Sequence, residues 1–264
     1  MEKPGSEEKI PGDYIVRKHG SSPIGTTLFV ILRLLDLPLQ YALLTQKLGA
    51  YILQLLRTRA VTPQITRTTV LDLTPYQLAV FAMAMGTTIK HIFWVLYISQ
   101  LEMPVAAAVM IPTFNTVFNS VNSLLSICVL TSGYTPAYDD KSIFLSPTFA
   151  IGVLLYIAGM LLETISELQR KQFKGNPANK GKPYSGGLFA WASHINYGGF
   201  AVCRFGYGLV CAGWAWATVV VAWLGFDFGA RAAPVLEEYC YKKYGDAYSK
   251  AVEKTRYKLI PGIY

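Results

Sequence analysis

The sequence predicts an all-α fold, a polytopic transmembrane helical bundle of about six membrane segments with a polar, cytosolic C-terminal tail. Three observations carry this. Over 264 residues, 52% are hydrophobic and only 15% are charged, where a soluble domain carries about 25% charged residues. Apolar runs long enough to cross a bilayer, about 20 residues each, recur along the chain. Lysine and arginine gather in the stretches between and after those runs, as they do in cytosolic loops.

The elements follow in order. Residues 1–23 (MEKPGSEEKIPGDYIVRKHGSSP) are polar and hold no apolar core, so they read as a cytosolic segment, with the first membrane segment directing insertion. Membrane helices are expected across 24–165: one within 24–56, then 77–99, 104–130 and 143–165. The first stretch exceeds one crossing and contains Pro38, expected to break it. The run 197–233 is too long for one crossing and suits two short helices turning near Gly213. That hairpin puts the basic loop 166–193 and the basic tail 234–264 on one side, together with the N-terminal segment. The positive-inside rule makes that side cytosolic. Arg57, Arg59, Arg67 and Lys141 fall on the other side and fit least well. The formal net charge of +8 is thereby read as loop charge and not as a nucleic-acid surface. The four cysteines have neither zinc-ligand nor disulfide-framework spacing, and no metal is expected.

Polar residues inside the apolar runs are candidates for function. Asn115, Asn119 and Asn122 share one helix face. They serve either as glue between helices or as the polar wall of a substrate cavity. Lys90 must face the bundle interior or reach for the interface, and Glu163 is a partner for it in charge. In the loop, Arg170 and Lys174 stand four apart, on one helix face. They can hold a phosphate, or be ordinary loop charge. Tyr184, Phe189 and Trp191 offer flat rings near the turn-rich GNPANKGKPYSGG. The following SHINYGG (193–199) is polar and hydrogen-bonding, yet it sits where the loop re-enters an apolar run.

The order LQRKQFK, GLFAWASHINYGG, CYKKYG, YKLIPGIY resembles the C-terminal half of the steroid 5-alpha-reductase and sterol C14-reductase superfamily. It is closest to uncharacterised reductase-like membrane proteins of fungi and bacteria, and more distantly resembles isoprenylcysteine carboxyl methyltransferases. The resemblance covers roughly 163–264. It implies an NADPH-dependent reductase of a carbon–carbon double bond in a steroid-like or other isoprenoid lipid, embedded in the endoplasmic reticulum with both termini cytosolic. Residues 24–165 would form the substrate half and 166–264 the cofactor-binding region. Arg170 and Lys174 would grip phosphate, Tyr184 and Phe189 would line the cofactor, Asn196 and Tyr197 would bind it, and Cys240, Lys243 and Tyr244 would close over it. Glu163 and Tyr197 would supply the acid. Lys90 and the asparagine face would orient a lipophilic small-molecule substrate drawn from the membrane lipid. The sequence departs from the superfamily pattern at Ser193, Ile195, Leu236 and Ala251. Two further readings stand beside the reductase: methyl transfer from S-adenosylmethionine, and a non-enzymatic membrane protein that kept the fold.

Overall fold

A computed structural model describes residues 16–45, 47–61, 71–132, 144 and 146–264. Every regular element among these residues is helical. They are α1 (Pro23–Leu44), α2 (Lys47–Leu55), α3 (Pro75–Phe93), α4 (Val105–Ile127), α5 (Pro147–Gly175), α6 (Ile195–Asp227), α7 (Ala233–Tyr244) and α8 (Asp246–Glu253). A π-helical turn, Trp94–Ile98, continues α3, and another, Phe228–Ala232, joins α6 to α7. By length and apolarity, α1, α3 with its π turn, α5 and the helical stretch from Ile195 to Tyr244 can cross a membrane. Large apolar side chains such as Ile89, Leu96, Leu154 and Phe226 lie exposed on the bundle surface, as a lipid-facing exterior requires.

Pro38 does not break the first helix as expected; α1 runs through it for 22 residues. Membrane helices tolerate an internal proline because neighbouring helices and polar side chains satisfy the freed carbonyl. Pro112 lies inside α4 in the same way. The chain then turns into α2, whose buried Gly49 and Leu53 pack inward. Thr74 starts α3 with a capping box: its hydroxyl accepts from the Gln77 N–H, and the Gln77 side chain accepts from the Thr74 N–H.

The turn expected near Gly213 is present. Ala212 (φ −148°, ψ 18°) and Gly213 (φ 71°) leave helical geometry inside α6, and only glycine adopts that positive φ readily. In an unbroken helix, residues nine apart lie about 13.5 Å apart along the axis. Here the Phe205 and Trp214 rings stand 6.0 Å apart, and a Cβ on Gly208 would sit 3.3 Å from the Ala217 Cα. Tyr197 stacks on Phe228 at 5.0 Å. The arms 195–211 and 214–227 therefore form an antiparallel hairpin.

One end of the bundle gathers the start of α1, the end of α3, the loop after α5, the start of α6 and the tail. The link at that end between the first helix and the loop before α4 is a bond from the Met103 N–H to Ser22 Oγ. The other end gathers the segment after α2, where the Val61 N–H donates to the Ile127 carbonyl at 2.7 Å. Tyr76 donates there to the Val210 carbonyl at 2.8 Å. Arg59 belongs to that far end, where its carbonyl accepts from the Val129 N–H; Arg67 and Lys141 lie outside the described residues.

Helices α5 and α6 make the closest pair. Gly159 and Gly199 face each other across it: a Cβ on Gly199 would come within 2.6 Å of the Glu163 backbone nitrogen. The glycines of the 193–199 heptad are thus used for packing. A Cβ on Gly198 would collide with the Leu259 carbonyl of the tail. The backbone approach that these glycines permit is of α5 and the tail.

Candidate functional site

A cavity of about 520 Å³ opens at the end where the loop and tail meet, inside the range of about 300–1,000 Å³ typical of small-molecule sites. Its floor is the last part of α5. Glu163, Glu167, Arg170 and Lys174 fall at intervals of four, three and four, a single helix face. Glu167 is the hub of that floor. Its Oε1 accepts from Arg170 Nη2 at 2.7 Å and from Asn196 Nδ2 at 2.8 Å, and its Oε2 accepts from Trp94 Nε1 at 3.4 Å.

The walls come from four directions. Tyr184 and Phe189 stand from the loop after α5, edge to face at 5.6 Å. The N-terminal strap contributes Arg17, whose guanidinium lies 4.7 Å from the Tyr239 ring centroid. Helix α7 contributes Tyr239, Cys240, Lys243 and Tyr244, and α8 adds Tyr248. Ser193 and His194 come from the heptad. The lining carries Arg17, Arg170, Lys171, Lys174, Lys180 and Lys243, with Glu167 as its carboxylate. Tyrosines hold several of these cations: Lys174 donates to the Tyr244 hydroxyl at 3.0 Å, Lys243 to the Tyr239 hydroxyl at 2.8 Å, and Lys171 lies over the Tyr97 ring at 3.4 Å. A tyrosine shields a cation without cancelling its charge.

The heptad is clasped by the tail. The Ser193 and His194 N–H groups donate to the Tyr257 and Lys258 carbonyls. His194 Nε2 meets Glu237 Oε1 at 3.2 Å, and Lys258 reaches Glu237 at 3.1 Å. The last turn of the chain, capping this clasp, packs Leu259 into the protein. Those two partners hold the Glu237 carboxyl, on the polar helix α7 beyond the membrane, below its usual range. His194 makes the largest contribution.

Of the residues singled out in the sequence, Arg170, Lys174, Tyr184, Phe189, Cys240, Lys243 and Tyr244 meet in the cavity. Asn196 and Tyr197 do not line it. Asn196 lies behind Glu167, its Oδ1 buried without a hydrogen-bond partner, and Tyr197 is sandwiched between His194 and Phe228. Glu163 lies one turn below the floor, in contact with Lys90. The asparagine face is engaged within the bundle: Asn115 and Asn119 accept from Arg204, Asn119 donates to Asp36, and Asn122 accepts from Trp216. Glu167 was missed; its place on the face of Arg170 and Lys174 was the signal. Arg204 and Trp94 were missed as well, and nothing local marked them. Among the described residues no cluster of histidine, cysteine or carboxylate side chains could hold a metal.

Comparison with known proteins gives two findings. Residues 98–255 match the family described as "Protein of unknown function (DUF1295)", a stretch that holds the α5–α7 face of the cavity. Over 257 residues the chain is 32% identical to a protein of Ustilaginoidea virens named "Probable O-methyltransferase ustE", covering 94% of this chain and 90% of that one. The chain thus belongs to the DUF1295 family.

Proposed function

We propose that the protein is a membrane-embedded, NADPH-dependent reductase of a carbon–carbon double bond in a steroid-like or other isoprenoid lipid. One observation carries this reading: among the described residues, the cavity lining sets Arg170, Lys171, Lys174 and Lys180 beside one carboxylate, Glu167. Such a surplus suits a pyrophosphate with an added 2′-phosphate. S-Adenosylmethionine brings a sulfonium, an amino group and a single carboxylate, and no phosphate. Arg170 and Lys174 would grip phosphate, Tyr184 and Phe189 would take a flat ring against their faces, and Lys243 with Tyr244 would cover it from α7. The nucleotide would supply a hydride.

The chain's own residues account for the remaining needs. Glu167, tied to Arg170, Asn196 and Trp94, fixes the floor. The Glu163–Lys90 pair, one turn deeper, would hand a proton to a substrate atom. The resemblance of LQRKQFK and CYKKYG to the steroid 5-alpha-reductase superfamily supports the same assignment. On this reading the protein is a multi-pass protein of the endoplasmic reticulum with six crossings: α1, α3, α4, α5 and the two arms of α6. The cavity end, with both termini, faces the cytosol.

Methyl transfer is the second reading, favoured by the name of the Ustilaginoidea virens relative. The two separate in one experiment. The detergent-purified protein is unfolded by heat with NADPH, NADP⁺, NADH or S-adenosylmethionine. The reductase reading expects stabilisation by NADPH and NADP⁺, weaker by NADH. Stabilisation by S-adenosylmethionine alone overturns it in favour of methyl transfer.

A further inference from the structure

Below the cavity, four helices bring charge into the middle of the bundle. Arg33 of α1 and Arg204 of α6 are both fully buried. Arg33 has a counter-charge: its Nη1 lies 3.3 Å from Asp36 Oδ2, and its Nη2 donates to Thr88 at 2.8 Å. Gln40 and Asn119 also donate to Asp36. Lys90 has Glu163. Arg204 has neutral partners: Nη1 donates to Asn119 Oδ1 at 2.8 Å and Nη2 to Asn115 Oδ1. Among the described residues no carboxylate pairs with it. The layer therefore holds three cations against two carboxylates.

A buried guanidinium without a counter-charge is expensive in hydrocarbon and marks function more often than structure. Two more atoms point the same way. Arg33 Nε and His91 Nδ1 are buried without a hydrogen-bond partner. His91 is near Arg204, for the Phe200 ring lies against both, 6.5 Å from the imidazole and 5.2 Å from the guanidinium. Asn119 links the two arginines: it accepts from Arg204 and donates to Asp36, the partner of Arg33. The arrangement lacks one negative charge, delivered with acceptor oxygens between these groups.

We propose that Arg204, flanked by Arg33 and His91, seats a carboxylate carried on an apolar body, so that the substrate is a membrane-soluble acid. This rests on the reductase reading for what happens to that substrate, but not for its binding. The charge count sets the ligand class. One unit is missing, which a carboxylate supplies and a phosphate dianion exceeds. The planar fork of arginine matches a carboxylate, and its two asparagine bonds use two of five N–H groups. Arg204 lies nine residues beyond Ile195, about 14 Å down α6. The acid end would sit deep, with the opposite end of the molecule directed to Glu163 and the cavity floor.

The test uses the whole protein in neutral detergent with three probes: oleate, oleyl alcohol and acetate. Thermal unfolding is followed as each is titrated. Oleate should stabilise the wild type, and neither the alcohol, which has the chain alone, nor acetate, which has the head alone, should do so. Arg204→Gln keeps a polar donor on a shorter side chain and removes the charge; it should weaken oleate binding roughly tenfold or more. The proposal falls if the alcohol stabilises as well as the acid, if acetate does, or if Arg204→Gln binds oleate like the wild type. Should Arg204→Gln not fold, Arg33→Gln and the wild-type contrast between acid and alcohol decide in its place. NADPH titrated without oleate tests the cofactor reading separately: loss of either response leaves the other standing.

Discussion

Replacing Arg170 by alanine should have two consequences that can be separated. Its guanidinium lies 2.7 Å from Glu167, with the arginine side chain 36% and the glutamate side chain 9% exposed. Breaking a fully buried pair by removing one partner costs about 3–5 kcal/mol. Exposure of the arginine and the two remaining donors to Glu167, Asn196 and Trp94, lower this to roughly 1–2 kcal/mol, the cost of an under-satisfied carboxylate. In a protein of this size that is a fall in Tm of about 2–8 °C. The second consequence is on nucleotide binding. Loss of a charge-assisted bond to phosphate, about 1.5–3 kcal/mol, weakens NADPH affinity by roughly 10- to 150-fold. The assay is thermal unfolding of the purified protein over an NADPH series, since the ligand's gain follows RT ln(1 + [L]/Kd). The double change Arg170→Ala with Glu167→Gln separates the effects. It removes the stranded carboxylate, so the unliganded Tm should recover most of its loss, while NADPH affinity should stay low. Wild-type NADPH affinity in the double variant would refute the phosphate role of Arg170.

Three other outcomes follow from the geometry. Single cysteines placed at 178 and 250 should label from the same side of sealed microsomes, and one at 59 from the opposite side; a shared side for all three would dismantle the hairpin topology. Gly213→Ala forces an L-residue into a backbone region that essentially only glycine occupies and should cost about 1–3 kcal/mol, lowering Tm without changing nucleotide affinity. Glu237, held below its usual pKa by His194 and Lys258, stabilises the fold above the ordinary carboxyl value of about 4.3. That stability is lost as pH falls through its lowered value. Glu237→Gln should therefore lower Tm at pH 7 and flatten the acid-side slope of Tm against pH, and an unchanged slope would remove the clasp from the account.

What was legible in the sequence was whatever obeys a local rule. The apolar runs gave the helices, and Gly213 in an overlong run gave the hairpin, because a reversal inside hydrocarbon needs a residue free to take positive φ. The face of Arg170 and Lys174 was legible for the same reason, and Glu167 on that face was overlooked only because attention went to cations. Pro38 misled because the rule for soluble helices was applied where neighbouring helices supply the missing partner. Arg204 was hidden for a deeper reason. Its acceptors, Asn115 and Asn119, stand more than eighty positions away, and no periodicity links them. The three asparagines were noticed, but both readings given for them lacked the arginine that explains two of them. The packing role of the heptad's glycines was hidden likewise, since the Leu259 carbonyl and the α5 backbone that they admit lie far away in sequence.

The helix that begins after Gly213 does not stop at the membrane surface. It continues through the π turn Phe228–Ala232 into α7, so that Trp216, packed against α4, and Tyr244, at the cavity mouth, ride on one rod. Sixteen residues separate Phe228 from Tyr244, about 24 Å of rise. A tilt of about 10° at the π turn thus carries Tyr244 through roughly 4 Å, enough to part it from Lys174. The aperture of the cavity is in this way geared to the angle between two stretches of one helix, at the turn Phe228–Ala232.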